Sequence, residues 1–182
     1  MFKKNIILLF IRIILLSFIF ASCGKNNKSS RNADTSFLHE PLINANKMYV
    51  EKESNEINEF IKKHQLEMNT SGTGLRYLIY KKANASSSSP LAIQGKLARV
   101  NYSISLLNGT KCYSSDSTGA REFLIGKDQV ESGLHEGIQL MKVGEKALFI
   151  LPSHLAHGLV GDGNKIPPRS TVIYEIELLS LK

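Results

Sequence analysis

Two glycines one helical turn apart, Gly133 and Gly137, interrupt a stretch whose apolar residues follow helical spacing. Across 130–146, Val130, Leu134, Ile138 and Met141 recur at steps of four, four and three, which draws one apolar stripe on a short helix. A glycine inside a helix costs about 1 kcal/mol relative to alanine, so two of them need an offset. Close approach supplies it, because an edge without Cβ can lie almost against the backbone of a sheet. Strand patterns flank the stretch on both sides, and the chain therefore reads as one helix clasped by a curved sheet.

The strand patterns fill in that sheet. Leu75, Tyr77 and Ile79 alternate with Arg76, Leu78 and Tyr80 after a turn signal at 70–74. Beyond a serine-rich loop at 85–90, Ala98, Val100, Tyr102, Ile104 and Leu106 face one way and Arg99, Asn101, Ser103 and Ser105 the other, a strand with one buried face. Asn108 and Gly109 form the strongest short-range hairpin signal and turn the chain back through 111–114. A polar loop at 115–120 leads to a short strand at 123–125. After the glycine-bearing helix come strands at 147–151 and 171–179, separated by a long loop holding Gly158, Gly161 and Gly163. Roughly five antiparallel strands and one helix within their span make an α+β domain.

The N-terminus reads as a targeting signal. Lys3 and Lys4 precede an apolar run from position 6 to 20 that is broken by Arg12, and Ala21 and Ser22 lead into Cys23. The run is short for a spanning helix of about 20 apolar residues. Small residues before a cysteine resemble the lipobox of bacterial lipoproteins, in which the thiol is alkylated by diacylglycerol and Cys23 becomes the new N-terminus; Phe20 departs from the usual Leu or Val. The alternative is an ordinary signal peptide with an incidental cysteine. Removal of 1–22 takes three of the net +7 charges with it. The remaining basic bias is spread out, without the clustered stripe of a nucleic-acid binder. Cys112 is then the one cysteine left beside Cys23, so no internal staple is expected.

The expected organisation is thus a signal segment (1–22), a Lys-, Asn- and Ser-rich tether (23–40), a helical extension (41–69) and the α+β domain (70–182). In the extension, Leu42, Ala45, Tyr49, Val50, Ile57, Phe60, Ile61 and His64 follow a broken three-and-four spacing. One helix, or two with a break near Ser54, fits it, either packing on the domain or serving as a dimerisation arm.

The ordered motifs resemble the FKBP-type peptidyl-prolyl isomerases. They are Val100, Asn101 and Tyr102 followed by Asn108 and Gly109; Tyr113, Ser114 and Ser115; Phe123 to Gly126; Gly133 to Gly137 with Met141 to Lys146; Ala156, His157 and Gly158; and Ile166, Pro167 and Pro168 followed by Thr171 to Leu179. With the lipobox and tether, the chain further resembles the gliding-motility-associated FKBP-type lipoproteins of Bacteroidetes. The resemblance implies a half-closed antiparallel sheet wrapped around one short α-helix, here with an N-terminal helical extension. It also implies prolyl isomerisation without metal or other cofactor. Partners would be proline-containing segments of exported proteins, with no nucleic acid; the membrane would be reached through lipidated Cys23, in the cell envelope facing the periplasm.

The same resemblance assigns the site. Tyr102 and Tyr174 would be aromatic walls, Tyr174 in place of the family's phenylalanine, and Phe123 a third. Val130 and Ile166 would be branched contacts, and the backbone N–H of Glu131 a donor to a substrate carbonyl. Four positions depart from the pattern: Leu134 stands for the floor tryptophan, Cys112 for a wall phenylalanine, Tyr113 for the adjacent aspartate and His157 for a hydroxyl-bearing tyrosine. No clear match to a further aromatic occurs around Arg121 and Glu122. The expected pocket is smaller-floored and more polar than the family's.

Without the resemblance, Tyr102 and Tyr174 read as core aromatics, His157 as a surface histidine and Cys112 as a small buried wall residue. His135 and His154 lack ligand spacing with each other or with Cys112, and Ser114 and Ser115 lack a Ser/His/Asp pattern. Two functions stay open, an isomerase and a factor that uses the same cleft to hold proline-containing or extended segments without much turnover, with a structural lipoprotein whose cleft is vestigial as a weaker third.

Overall fold

The computed structural model describes residues 36–83 and 89–182. The signal segment, Cys23, most of the tether and most of the 85–90 loop lie outside the described residues. Contacts separate the chain up to Leu42 from a compact unit, Ile43–Lys182, which carries the sheet and the site.

The first helix, α1, spans Ser36–Lys63 without a break at Ser54, so it begins inside the stretch expected to be tether. No glycine or proline interrupts 42–63, and exposed Lys47–Glu51 and Lys52–Glu56 pairs lie at i,i+4 spacing. Lys62 and Lys63 in the last turn suit the negative end of the helix dipole. Gln65 then takes φ 52, and the Leu66 N–H returns to the Ile61 carbonyl at 3.0 Å, closing the helix in a left-handed cap.

Among the described residues seven strands follow: β1 (Asn69–Thr70), β2 (Arg76–Lys81), β3 (Leu97–Leu106), β4 (Lys111–Ser114), β5 (Arg121–Leu124), β6 (Lys146–Leu151) and β7 (Val172–Leu181). They form one antiparallel sheet in the order β1-β2-β6-β7-β3-β4, with β5 pairing β3. The Asn108–Gly109 signal turns β3 into β4 as expected, with Gly109 at φ 86. A one-turn helix α2 (Ser115–Thr118), capped by the Ser114 hydroxyl, occupies the expected polar loop. The sequence did not show α2 or the two-residue β1.

The glycine-bearing helix, α3, spans only Ser132–Ile138; Val130 precedes it and Met141 follows in a turn. A Cβ on Gly133 would lie 2.6 Å from Leu151 Cγ, and one on Gly137 2.7 Å from Phe149 Cε2. Close approach is therefore the reason for both glycines. It is made to the side chains of β6 rather than to sheet backbone, because the apolar face of β6 is filled by Phe149 and Leu151.

The sheet is covered on both faces, because, besides the clasped helix, α1 packs on the domain, one of the two roles expected of the extension. On the concave face Phe149, Leu151, Ile138, Met141, Leu75 and Ile125 are fully buried in the main core. On the other face Ile150 and Ile173 meet Ile57 of α1, with Phe60, Ile61, Met68 and Leu148 around them. Ile57 is wholly buried, a contribution of about 2 kcal/mol. Two polar residues share that stripe with their needs met. Ser54 accepts from the buried Arg76 guanidinium at 3.1 Å, and the Glu53 carboxylate takes three donors from the domain.

Candidate functional site

The cleft is built on the inward faces of β3, β5 and β7. The register places Tyr102 opposite Ile176 and Ile104 opposite Tyr174, so Val100, Tyr102 and Ile104 share a face with Tyr174 and Ile176. On β5, paired to β3, Arg121 and Phe123 alternate onto the same side. The N-terminal end of α3 closes the bottom with Leu134, 5% exposed, and brings Val130 and Glu131 to the edge. The loop after β6 adds His157 and Asp162. Together these residues enclose about 210 Å³. That is below the roughly 300–1,000 Å³ of drug-sized sites and matches a short piece of peptide chain.

Of the residues chosen from sequence, Tyr102, Tyr113, Phe123, Val130, Glu131, Leu134, His157 and Tyr174 line this cleft. Ile166 and Cys112 do not line it. Ile166 is 1% exposed in the core behind the wall, and its N–H donates to Asp162 Oδ1 at 2.8 Å, so it fixes the loop that carries Asp162. Cys112 is buried as well, with its thiol directed at the carbonyls of Thr110 and Lys165. Burial first, then the nearby Asp162 charge, pushes that thiol's pKa up, which keeps it protonated and unsuited to attack.

The rim is polar and internally paired. His157 Nε2 donates to Glu131 Oε1 at 2.9 Å, with the carboxylate 13% and the imidazole 25% exposed. The Tyr174 hydroxyl faces the same carboxylate. Burial, then the Glu131 charge and hydrogen bonding toward it, push the Tyr174 pKa well above its ordinary value, so the hydroxyl stays protonated. Across the mouth, the Tyr113 hydroxyl donates to Asp162 Oδ2. Burial disfavours the charge on Asp162, but Tyr113, the N–H groups of Ile166 and Asn164, and His157 outweigh it and hold the carboxyl at about 2. Tyr113 stands where the resemblance expects an aspartate, and it binds one supplied by another loop.

Two polar cleft residues escaped the sequence reading, Arg121 and Asp162, as did the apolar lining residues Val100, Ile104 and Ile176, and Glu131 was credited with its backbone alone. Arg121 had a usable signal, since it lies two residues before Phe123 and a strand puts both on one face. Asp162, set between Gly161 and Gly163, had the pattern of an Asx turn, and its carboxylate does accept from Asn164 and Ile166. The Glu131 N–H meets no backbone acceptor among the described residues and precedes α3, where it can reach a carbonyl in the cleft.

The other candidates are structural. His135 accepts the Gly126 N–H at Nδ1 and reaches the Asp128 carbonyl from Nε2, so both ring nitrogens tie α3 to the loop after β5. No group of three or more His, Cys, Asp or Glu able to hold a metal occurs among the described residues. The cleft therefore offers aromatic and branched walls, an apolar floor, a backbone donor and a hydrogen-bonded polar rim.

Comparison with known proteins gives one family. The model of the FKBP-type peptidyl-prolyl cis-trans isomerase family matches residues 90–179. The FK506-binding protein of Neisseria meningitidis serogroup B is 41% identical over 91 residues, 50% of this chain and 84% of that protein. Peptidyl-prolyl cis-trans isomerase FKBP10 of Mus musculus is 40% identical over 87 residues; these are 47% of this chain and 15% of FKBP10, so the chain spans a small part of that relative. The crystal structure of AtFKBP13 superposes with a TM-score of 0.58 at 29% identity, covering 64% of this chain and 99% of that one.

Proposed function

We propose that this chain, which belongs to the FKBP-type peptidyl-prolyl cis-trans isomerase family, accelerates rotation about Xaa-Pro bonds in its cleft. Amide resonance sets a barrier of about 18–20 kcal/mol, and only Xaa-Pro populates cis appreciably. Lowering that barrier needs no nucleophile or cofactor. A site that seats the proline ring and favours the twisted amide over both planar forms stabilises the transition state differentially. The twisted amide is less dipolar than the planar one, so a dry apolar wall favours it.

One observation carries the reading: Tyr102, Phe123, Val130, Leu134 and Tyr174 converge on one small cleft beside the Glu131 N–H. The ring seats on Leu134 between the aromatic walls. The Glu131 N–H holds a flanking carbonyl, and the Glu131–His157 and Tyr113–Asp162 pairs keep rim charges satisfied as water leaves. Replacing Tyr102 and Tyr174 together by alanine tests this: activity on Xaa-Pro peptides is expected to vanish while circular dichroism stays native. Full activity in that folded variant would move the chemistry elsewhere.

For the whole protein, we propose attachment to a membrane of the cell envelope through lipidated Cys23, facing the periplasm, with exported proteins as substrates and a link to gliding motility. Cys23→Ser is expected to shift the protein from the membrane fraction to the soluble one; a variant still membrane-bound would contradict lipidation. The second reading, a factor that holds proline-containing segments with little turnover, draws on the reduced floor at Leu134 and the Arg121 side chain in the cleft wall.

A further inference from the structure

The 153–158 loop, which brings His157 to the cleft, is short and closed on itself. Its Gly158 N–H returns to the Ser153 carbonyl at 2.8 Å, around a one-turn 3-10 helix at Ser153–Leu155. Pro152 before that turn offers no side-chain cap, so the Ser153 N–H is an orphan donor of the loop itself. It is satisfied from 100 residues away. The Glu53 carboxylate of α1 accepts the Ser153 N–H at 2.7 Å and the Ser153 hydroxyl at 3.1 Å. The same carboxylate accepts the hydroxyl of buried Thr171 at 2.7 Å, ahead of Tyr174 in the chain.

The other end of the loop is held from the same face of the same helix. The Gly158 carbonyl accepts the Arg169 N–H at 2.8 Å, and the Arg169 guanidinium lies 4.2 Å from the ring centroid of Tyr49. Tyr49 and Glu53 are four residues apart, one turn of α1. Arg169 has a positive φ of 56, an uncommon setting for a residue other than glycine. The ring of Tyr49 and the bond to Gly158 both favour keeping it there.

We propose that Glu53, assisted by Tyr49, is a positioning residue for His157: α1 grips both ends of the 153–158 loop and so sets how His157 meets Glu131 at the cleft. This rests on the isomerase reading of the cleft. It makes α1 a working part of the site, although it lies on the opposite face of the sheet and precedes the residues matched by the family model. A loop freed at Ser153 would let the His157–Glu131 pair loosen and the rim spread, with the apolar walls left in place. The consequence is slower turnover with less effect on peptide binding.

The test uses the full chain with three substitutions. Glu53→Ala is expected to lower kcat on an Xaa-Pro peptide about five-fold or more with a smaller change in KM, within the roughly hundred-fold that a misplacement of 1 Å can cost. It is also expected to shift the His157 ring-proton NMR resonances, which report how the ring meets Glu131. Glu53→Gln, which keeps an oxygen for the Ser153 N–H, is expected to restore most of both. Ile57→Ala opens a cavity under α1 while Glu53 keeps its hydrogen bonds to Ser153 and Thr171, and is expected to lower thermal stability while leaving kcat and the His157 ring-proton resonances near those of the unmodified protein. The proposal is overturned if Glu53→Ala leaves both readouts unchanged, or if Ile57→Ala moves them as far. If the unmodified protein shows no isomerase activity, the functional reading fails, and the His157 ring-proton resonances alone still decide the positioning role.

Discussion

The two faces of β6 and β7 use the same alternation for opposite ends. Phe149 and Tyr174 look into the concave side, while their neighbours Ile150 and Ile173 look toward α1. On the α1 side, the polar residues Glu53 and Ser54 that enter the interface are saturated by partners from the domain. On the concave side the core is apolar until it opens at the cleft, where Glu131, His157, Arg121, Tyr113 and Asp162 collect at one rim. Burial pattern alone does not tell a core from a cleft. What marks the cleft is an aromatic wall that ends in hydrogen-bonded polar groups.

The sharpest way to break the concave side is Gly137→Leu. The first added carbon already falls 2.7 Å from the fully buried Phe149 ring. Overpacking usually costs about 1–3 kcal/mol, and this variant is expected at or above the top of that range despite its better helix propensity. A denaturant midpoint equal to or above that of the unmodified protein would show that α3 does not pack there.

On the α1 side, Ile57→Ala leaves a cavity among Ile150, Ile173 and Phe60 and is expected to cost about 2–4 kcal/mol by chemical denaturation. The contrast lies in activity. Loss at Ile57 should spare turnover, whereas the paired Tyr102 and Tyr174 alanines should remove it.

How much of this was legible in the sequence divides along the same line. The strand alternation of β3 and the hairpin at Asn108 and Gly109 were readable because one face is buried and the turn chemistry is local. The glycines of α3 announced close packing, though not that its partners are side chains. The cleft walls Tyr102, Phe123 and Tyr174 followed from the family resemblance. By contrast, Asp162 reaches Tyr113 across 49 positions and Glu53 reaches Ser153 across 100, and no local pattern encodes such pairs. Ile166 and Cys112 were placed on the wall because motif order carries no depth; the structure sets both behind it.

A gentler probe of the cleft is Leu134→Trp. It restores ring area to the floor and is expected to raise the rate on peptides with an apolar residue before proline, where the walls admit the ring. A fall in rate with unchanged stability would mean that leucine is the fitted floor. Chelators and thiol alkylation are expected to leave the rate unchanged, since Cys112 is buried and protonated.

The smallest expected effect concerns pH. Asp162 has its folded pKa depressed, from 3.8 to about 2, so the stabilisation it contributes is present above about 3.8 and is lost as pH falls toward 2. Tyr113→Phe removes one of the donors that hold it down. Carboxyl NMR should then find the Asp162 midpoint moved up, with acid unfolding beginning at slightly higher pH. An unmoved midpoint would show that the backbone donors alone set it.

The central claim, that the cleft turns over Xaa-Pro bonds, is tested most directly by exchange NMR on short Xaa-Pro peptides with the unmodified protein. The account predicts cis/trans exchange accelerated well beyond the uncatalysed process, which takes tens to hundreds of seconds, and no acceleration with the Tyr102 and Tyr174 double-alanine variant. Peptide resonances that shift on binding without any gain in exchange rate would contradict it and leave a cleft that holds proline-containing segments without isomerising them.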